Sequence, residues 1–325
     1  MSDAQTIIDH HLSKDGFSVT LVSFGASISD MRMKGIEHPL VLGLQNPHDY
    51  PLQSSHLGAT AGRVANRISD GQFHLNGTLY KLDRNENDKH MLHGGAQGSG
   101  VQNWHLDHAT DTEALFSLHQ PDGWMGFPGN VEMRCHYEIT DDCELTIRYE
   151  AQTDKACPIN LAHHSYFKLD DSDDIRHHMF QIEADHYLDV DHDNIPTGKL
   201  IPVAGTTFDF TSPRFIENNL FDHNFCLRDS QTKLRKIAFA KSELSGISLT
   251  IYSDQKGVQF YTSQHLSEDL NTIHGRAYHR LEGFCLEPQN WPDACNHAAF
   301  PSSILSEDEI YSQIIKLQFA RNSAS

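Results

Sequence analysis

Apolar residues fall on every second position in short segment after short segment of this chain. Phe17, Val19 and Leu21 alternate with more polar neighbours, and so do Leu145, Ile147 and Tyr149. The pattern repeats at Phe180, Ile182 and Ala184, at Ile247, Leu249 and Ile251, and at Val258 and Phe260. A period of two is the mark of strands with one buried face. Turn-forming clusters separate the runs: Asn76-Gly77, Asp141-Asp142, Pro196-Thr197-Gly198 and Asp254-Gln255-Lys256-Gly257. Few windows hold a helical period for three turns, and no repeat of fixed length, low-complexity tract or long linker stands out. Many strands without alternating helices predict an all-β chain, a large antiparallel β-sandwich rather than a βαβ sheet. Such folds run long as one unit, so residues 1–325 are expected to form a single domain.

Charge narrows the partners. Lys plus Arg is 25 and Asp plus Glu is 44, a formal charge of −19. Lys and Arg form no dense cluster, so nucleic acid and anionic lipid are repelled at long range. No run approaches the ~18 consecutive apolar residues of a spanning helix, so no membrane is expected. A neutral polar small molecule remains compatible. The six cysteines at 135, 143, 157, 226, 285 and 295 form no CxxC pair, which argues against a structural zinc knuckle. The first residues, MSDAQTIIDHHLSKDGF, lack a basic region followed by an apolar core. A cytoplasmic, thiol-reduced protein is the simplest expectation.

The 23 histidines include the doublets His10-His11, His163-His164 and His177-His178. Adjacent residues of a strand point to opposite faces, so a doublet rarely chelates one ion. There is no HExxH and no Cys/His pairing, and no catalytic metal is expected.

Four segments carry candidate chemistry. In Gly62-Arg63-Val64-Ala65-Asn66-Arg67-Ile68 the arginines and Asn66 form either a surface pair or a polar clamp on hydroxyl groups, for which a guanidinium offers a fixed fork of donors. In Leu92-His93-Gly94-Gly95 two glycines let the backbone turn sharply and approach a ligand. In the run from Pro158 to Phe167, His163 and His164 interrupt an apolar strand, as satisfied core groups or as a proton donor. In the run from Phe284 to Asp293, Glu287 follows three apolar residues and precedes Pro288, which biases it to an extended backbone. Burial there would raise its pKa towards that of a useful base.

Taken together these segments resemble the aldose 1-epimerase (galactose mutarotase) family. The matching stretches are GATAGRVANRI (58–68), LHGG (92–95), NLAHHSYFKL (160–169), IPTG (195–198), GTTFDF (205–210), FDHNFCL (221–227), GVQFYT (257–262) and CLEPQNWPD (285–293). They occur in family order through nearly the whole chain. The resemblance implies a galactose mutarotase-like sandwich with a sugar-binding cleft on one sheet. It also implies interconversion of the α and β anomers of a free aldose such as galactose or glucose, without a cofactor, by a monomer or homodimer. By local match Glu287 is the base, His164 the acid, and His93 assists near the ring oxygen. Asn66, Arg67, Asp222 and Gln259 hold sugar hydroxyls.

Two departures from the family pattern matter. His163 stands where the family usually has Asn, and the Ser-Tyr-Phe anchor assigns the cleft-facing role to His164. Pro288 stands where Thr is frequent and removes a backbone donor beside the base. Ring opening needs a base for the C1 hydroxyl proton and an acid for the ring oxygen, which Glu287 as carboxylate and His164 as imidazolium would supply. Their opposite charges are expected to stabilise the ionised pair and widen the pH plateau. Trp124 and Trp291 are candidates either to stack on an apolar sugar face or to pack the core. The rival readings are a non-catalytic sugar-binding protein on the same fold and a hexose-6-phosphate epimerase, which would want further basic residues.

Overall fold

The computed structural model describes residues 6–228 and 233–321. Two antiparallel sheets face each other. The larger has nine strands, in the spatial order Arg214–Phe215, His178–Ile182, Arg235–Ser242, Ile247–Ser253, Tyr311–Arg321, Glu144–Thr153, Val131–Asp141, Glu113–Gln120, His105–Ala109. The smaller has five: Pro196–Pro202, Ala184–Val190, Asp222–Leu227, Gly257–Tyr261, Cys285–Gln289. A three-stranded sheet of Asp9–Lys14, Phe17–Val22 and Ser27–Met33 adds to the edifice. The helical pieces among the described residues are short 3₁₀ turns. The expected antiparallel β-sandwich is therefore the observed one.

The period-two runs explain the core. Phe17, Val19, Leu21, Leu145, Ile147, Tyr149, Ile247, Leu249 and Ile251 are all fully buried in one continuous apolar cluster. Val258 and Phe260 point into it from the smaller sheet, with Phe225 and Leu286 beside them. Alternation then sends Gln259, Tyr261, Asp222, Cys285 and Glu287 to the opposite face of that sheet. The functional cleft forms on that face.

Two readings of the pattern change. Phe180, Ile182 and Ala184 read as one strand, but the chain crosses between sheets here: His178–Ile182 belongs to the larger sheet and Ala184–Val190 to the smaller. Period-two alternation does not distinguish a strand from two strands joined at a sandwich corner. Pro196-Thr197-Gly198 opens a strand instead of making a turn. The turn lies just before it, where the Asp191 carboxylate accepts from the backbone N–H groups of Asp193 (2.9 Å) and Ile195 (3.0 Å). Pro196 is the first residue of an edge strand, a place where its missing N–H costs no ladder bond. Asn76-Gly77 is as expected: φ of 50° and 78° with Leu75 paired to Thr78 make the two-residue primed turn that favours this dipeptide.

Candidate active site

Three neighbouring strands set the floor of a cavity of about 330 Å³. Gln259 pairs in register with Glu287 on one side and with Asn224 on the other, and Asp222 pairs with Tyr261. Asp222, Gln259 and Glu287 thus lie side by side on one face although they are far apart in sequence. The short strand Ala162–His164 pairs with Ala59–Ala61 and brings His164 over Glu287, with Nε2 3.7 Å from Oε1. Cys285, two residues before Glu287 and on the same face, places Sγ 3.7 Å from His164 Nδ1.

His93 and Asn66 clasp each other. The Asn66 N–H donates to His93 Nδ1 (3.3 Å), and the His93 N–H donates to the Asn66 carbonyl (3.1 Å). Both residues have positive φ, 51° and 62°. Because Nδ1 accepts, the neutral His93 ring carries its proton on Nε2. The Asn66 side-chain oxygen accepts from the Arg67 N–H (2.8 Å). Arg67 lies in a bidentate pair with Glu86, Nε to Oε2 2.9 Å and Nη2 to Oε1 2.8 Å, and its Nη1 is 3.7 Å from Asp222. Gln259 Nε2 donates to Asp222 Oδ1 (2.7 Å). A polar chain from Glu86 through Arg67 and Asp222 to Gln259 therefore lines one wall.

All seven residues expected in the site line this one cavity: Glu287, His164, His93, Asn66, Arg67, Asp222 and Gln259. Two of their atoms, Glu287 Oε2 and Gln259 Oε1, are buried without a protein partner. Leaving buried polar atoms unpaired costs about 1–3 kcal/mol each, a cost that a polar ligand repays.

Burial dominates the electrostatics. It raises the Glu287 pKa well above the ordinary carboxylate value, with Asp222 adding to the rise and Arg67 opposing it. It lowers that of His164 to about 3, with the neighbouring His56 adding to the fall. His93 is pushed down by the same desolvation. Desolvation favours the neutral form of each group, so burial favours Glu287 as acid and His164 as free imidazole. Burial thus works against the ionised pair, carboxylate beside imidazolium, that the sequence leads one to expect.

The histidine doublet is resolved as strand geometry requires. His164 lines the cavity. His163 faces the sandwich, with Nε2 2.7 Å from Ser165 Oγ and its ring 6.3 Å from that of Tyr137.

Arg63 is no part of a hydroxyl clamp. Its side chain is fully buried and donates to the carbonyls of Pro128 (2.9 Å) and Gly129 (3.2 Å) and to Gln120 Oε1 (3.2 Å). The Phe127 ring lies 5.4 Å away. It ties the site loop to the larger sheet. Arg63→Met should cost of the order of 3 kcal/mol by leaving those acceptors unpaired. Urea denaturation checks this, and the surviving folded fraction should keep its turnover.

The glycines of LHGG also serve the scaffold rather than a ligand. A Cβ on Gly94 would lie 2.0 Å from the Gly62 carbonyl oxygen. The GRVANR and LHGG segments are thus locked backbone to backbone, which is what sets His93 against Asn66. Neither Trp124 nor Trp291 lines the cavity. Trp124 donates to the Gln97 carbonyl and Trp291 packs on Phe300. The apolar lining comes instead from Tyr166, Tyr261, Leu92 and Leu266.

Sequence reasoning missed Glu86, His56, Tyr166 and Tyr261. Tyr261 and Tyr166 each stand two residues beyond an expected site residue, and extending the alternation by one step would have found both. Glu86 carries no local signal. His56 sits at φ 53° with its ring 4.9 Å from His93 and 6.2 Å from His164.

The fold places this chain among the galactose mutarotase-like sandwiches. An aldose epimerase homologue from C. elegans superposes with a TM-score of 0.92 at 28% identity, covering 98% of this chain and all of that one. A family model described as aldose 1-epimerase matches residues 9–318. Human galactose mutarotase is 38% identical over 331 aligned residues, 98% of this chain and 96% of that protein. The aldose 1-epimerase of Escherichia coli K12 is 34% identical, over 94% of this chain and 92% of that one. The chain belongs to the aldose 1-epimerase family.

Proposed function

We propose that this protein is an aldose 1-epimerase that interconverts the α and β anomers of free aldohexoses by acid–base ring opening and closure. The observation that supports the reading most is the facing pair of Glu287 and His164, 3.7 Å apart on the floor of a polar cavity, with Glu287 Oε2 unpartnered. O1 and O5 of a pyranose are both bonded to C1, so one carboxylate and one imidazole at this separation can serve both oxygens. Ring opening starts from the tautomer in which the pair's one shared proton sits on His164: Glu287 then takes the C1 hydroxyl proton while His164, assisted by His93, protonates the ring oxygen. The C1–O5 bond breaks and the aldehyde forms. Rotation about C1–C2 presents the other carbonyl face, and the two proton transfers run in reverse. Each partner contributes ~10²–10⁴-fold. Asn66, Arg67, Asp222 and Gln259 hold the remaining hydroxyls, which fixes the sugar while C1 turns.

A binding-only protein has no use for a buried carboxylate kept from its partners, since the unpaired group only weakens the fold. A 6-phosphate substrate would need uncommitted cations. Among the described residues, Arg67 is the one Lys or Arg lining the cavity, and it is already committed to Glu86 and Asp222. Polarimetry on fresh α-D-glucose and α-D-galactose, with and without a 6-phosphate, separates the three. Rapid mutarotation of the free sugars is expected. Preference for the phosphates, or no acceleration, would reject the reading. The six free thiols suit a cytoplasmic setting.

The pH profile follows from the pair rather than from either group. The active state holds one proton between Glu287 and His164, and burial favours that net-neutral state. Adding a second proton is opposed because the His164 pKa falls to about 3. Removing the one proton is opposed because the Glu287 pKa rises. The two macroscopic steps are pushed apart, so kcat should stay flat through neutrality, with an acid limb below the ordinary histidine range. The plateau should be wide because burial disfavours net charge, a different cause from the attraction between ions that the sequence reading invoked. Stopped polarimetry across pH, from either anomer, checks this. EDTA should not lower the rate, and a collapse on chelation would replace this chemistry with that of a metal-bound hydroxide.

A further inference from the structure

Cys285 has no part in the proton transfers, yet it completes a donor set. Its thiol, the imidazole of His164 and the carboxylate of Glu287 are all buried, and one donor atom of each lies within 4.8 Å of the others. We propose that His164, Cys285 and Glu287 form an inhibitory site for a thiophilic divalent cation, Zn²⁺ or Cd²⁺, at the floor of the sugar cavity.

The chemistry is favourable on three counts. One sulfur, one nitrogen and one oxygen donor are the ligand types that zinc takes, and three protein ligands beside an open cavity leave a fourth position for water or a sugar hydroxyl. Tetrahedral bonds of ~2.0–2.3 Å put neighbouring donor atoms about 3.3–3.8 Å apart. The observed 3.7 Å contacts of His164 with Cys285 and with Glu287 already match, although they use opposite ring nitrogens. One His164 nitrogen already lies within 4.8 Å of the donor atoms of both partners. Charge is also balanced: the cation displaces the thiol proton, and any carboxyl proton, to solvent. The resulting thiolate and carboxylate neutralise a double positive charge that the buried site would otherwise not admit. Three of the other groups facing the cavity are already engaged, whereas His56, with Nδ1 unpartnered and its ring 6.2 Å from that of His164, is a further nitrogen donor at the rim. His93 is clasped by Asn66, Asp222 by Gln259 and Glu86 by Arg67.

Occupation withdraws both proton-transfer groups at once. Inhibition is therefore competitive with the sugar, and that half of the inference rests on the roles proposed above for Glu287 and His164. The binding half does not.

Cd²⁺ and Zn²⁺ should be titrated into the metal-free full-length protein, reading the ultraviolet charge-transfer band of a cadmium–thiolate bond and, separately, the mutarotation of galactose. One equivalent of Cd²⁺ should develop the band, and excess galactose should suppress it. Zn²⁺ should inhibit, with relief by EDTA. Cys285→Ser and Cys285→Ala should abolish the band and weaken inhibition by more than the roughly 10–100-fold that loss of an outer-shell partner costs, with basal mutarotation in EDTA retained. Cys143→Ser, at a partly exposed thiol elsewhere, should change neither. A band that survives both Cys285 variants, inhibition equal in those variants, or inhibition indifferent to galactose would overturn the site. Parent protein without mutarotase activity would instead refute the proposed function and leave the cadmium band as the test of the site.

Discussion

Glu287→Gln should lower kcat by roughly 10²–10⁴-fold or more, the contribution of a positioned base, equivalent to about 3–5 kcal/mol of transition-state stabilisation. Gln keeps the shape of the side chain and cannot take the C1 hydroxyl proton. Sugar binding should survive, because Asn66, Arg67, Asp222 and Gln259 are untouched. Calorimetric titration with galactose, beside polarimetry on fresh α-anomer, separates the two effects. Stability should move the other way. The folded-state pKa of Glu287 is raised by burial, so the folded state disfavours ionisation. Its stability contribution is complete below the unfolded carboxylate value and is lost as pH rises towards the folded pKa. The Gln variant escapes that loss and should melt no lower than the parent, with a larger advantage at pH 8 than at pH 4. Activity within a factor of two of the parent would remove Glu287 from the mechanism.

The doublet provides the second test. His164→Asn removes the acid and should cost ~10²–10⁴ in kcat. His163→Asn should leave kcat close to the parent's, because that ring faces the sandwich beside Tyr137 and Ser165. The two substitutions are chemically identical and one residue apart. A difference in rate between them therefore measures which face of the strand each occupies. A large loss for His163→Asn with His164→Asn mild would mean that the acid is wrongly assigned. Equal small losses would mean that His93 donates the proton alone.

Much of the site was legible because its residues sit in short motifs with distinctive neighbours. Glu287 before Pro288, His164 before Ser-Tyr-Phe, and Gln259 between Val258 and Phe260 all show a polar group where alternation puts the face opposite the core. Pro288 itself is tolerated because Cys285–Gln289 is an edge strand of its sheet, where no further strand needs its N–H.

What the sequence determined by itself was local: the period of two, the turn chemistry of Asn76-Gly77, and the identities of the groups that can exchange protons. These depend on near neighbours and on backbone preferences that travel with each residue. Only the tertiary structure decided the rest. Glu183 marks a corner between sheets, and Arg63 turns into the scaffold while Arg67, four residues on, turns to the cavity. Glu86 anchors Arg67 from 19 residues away, and Cys285 meets His164 across 121 residues. The direction in which burial pushes the protonation of the central pair was also set there, because it depends on how much water the packed strands exclude. Desolvation is a property of everything that surrounds a group in space, and no stretch of chain around Glu287 or His164 encodes it alone.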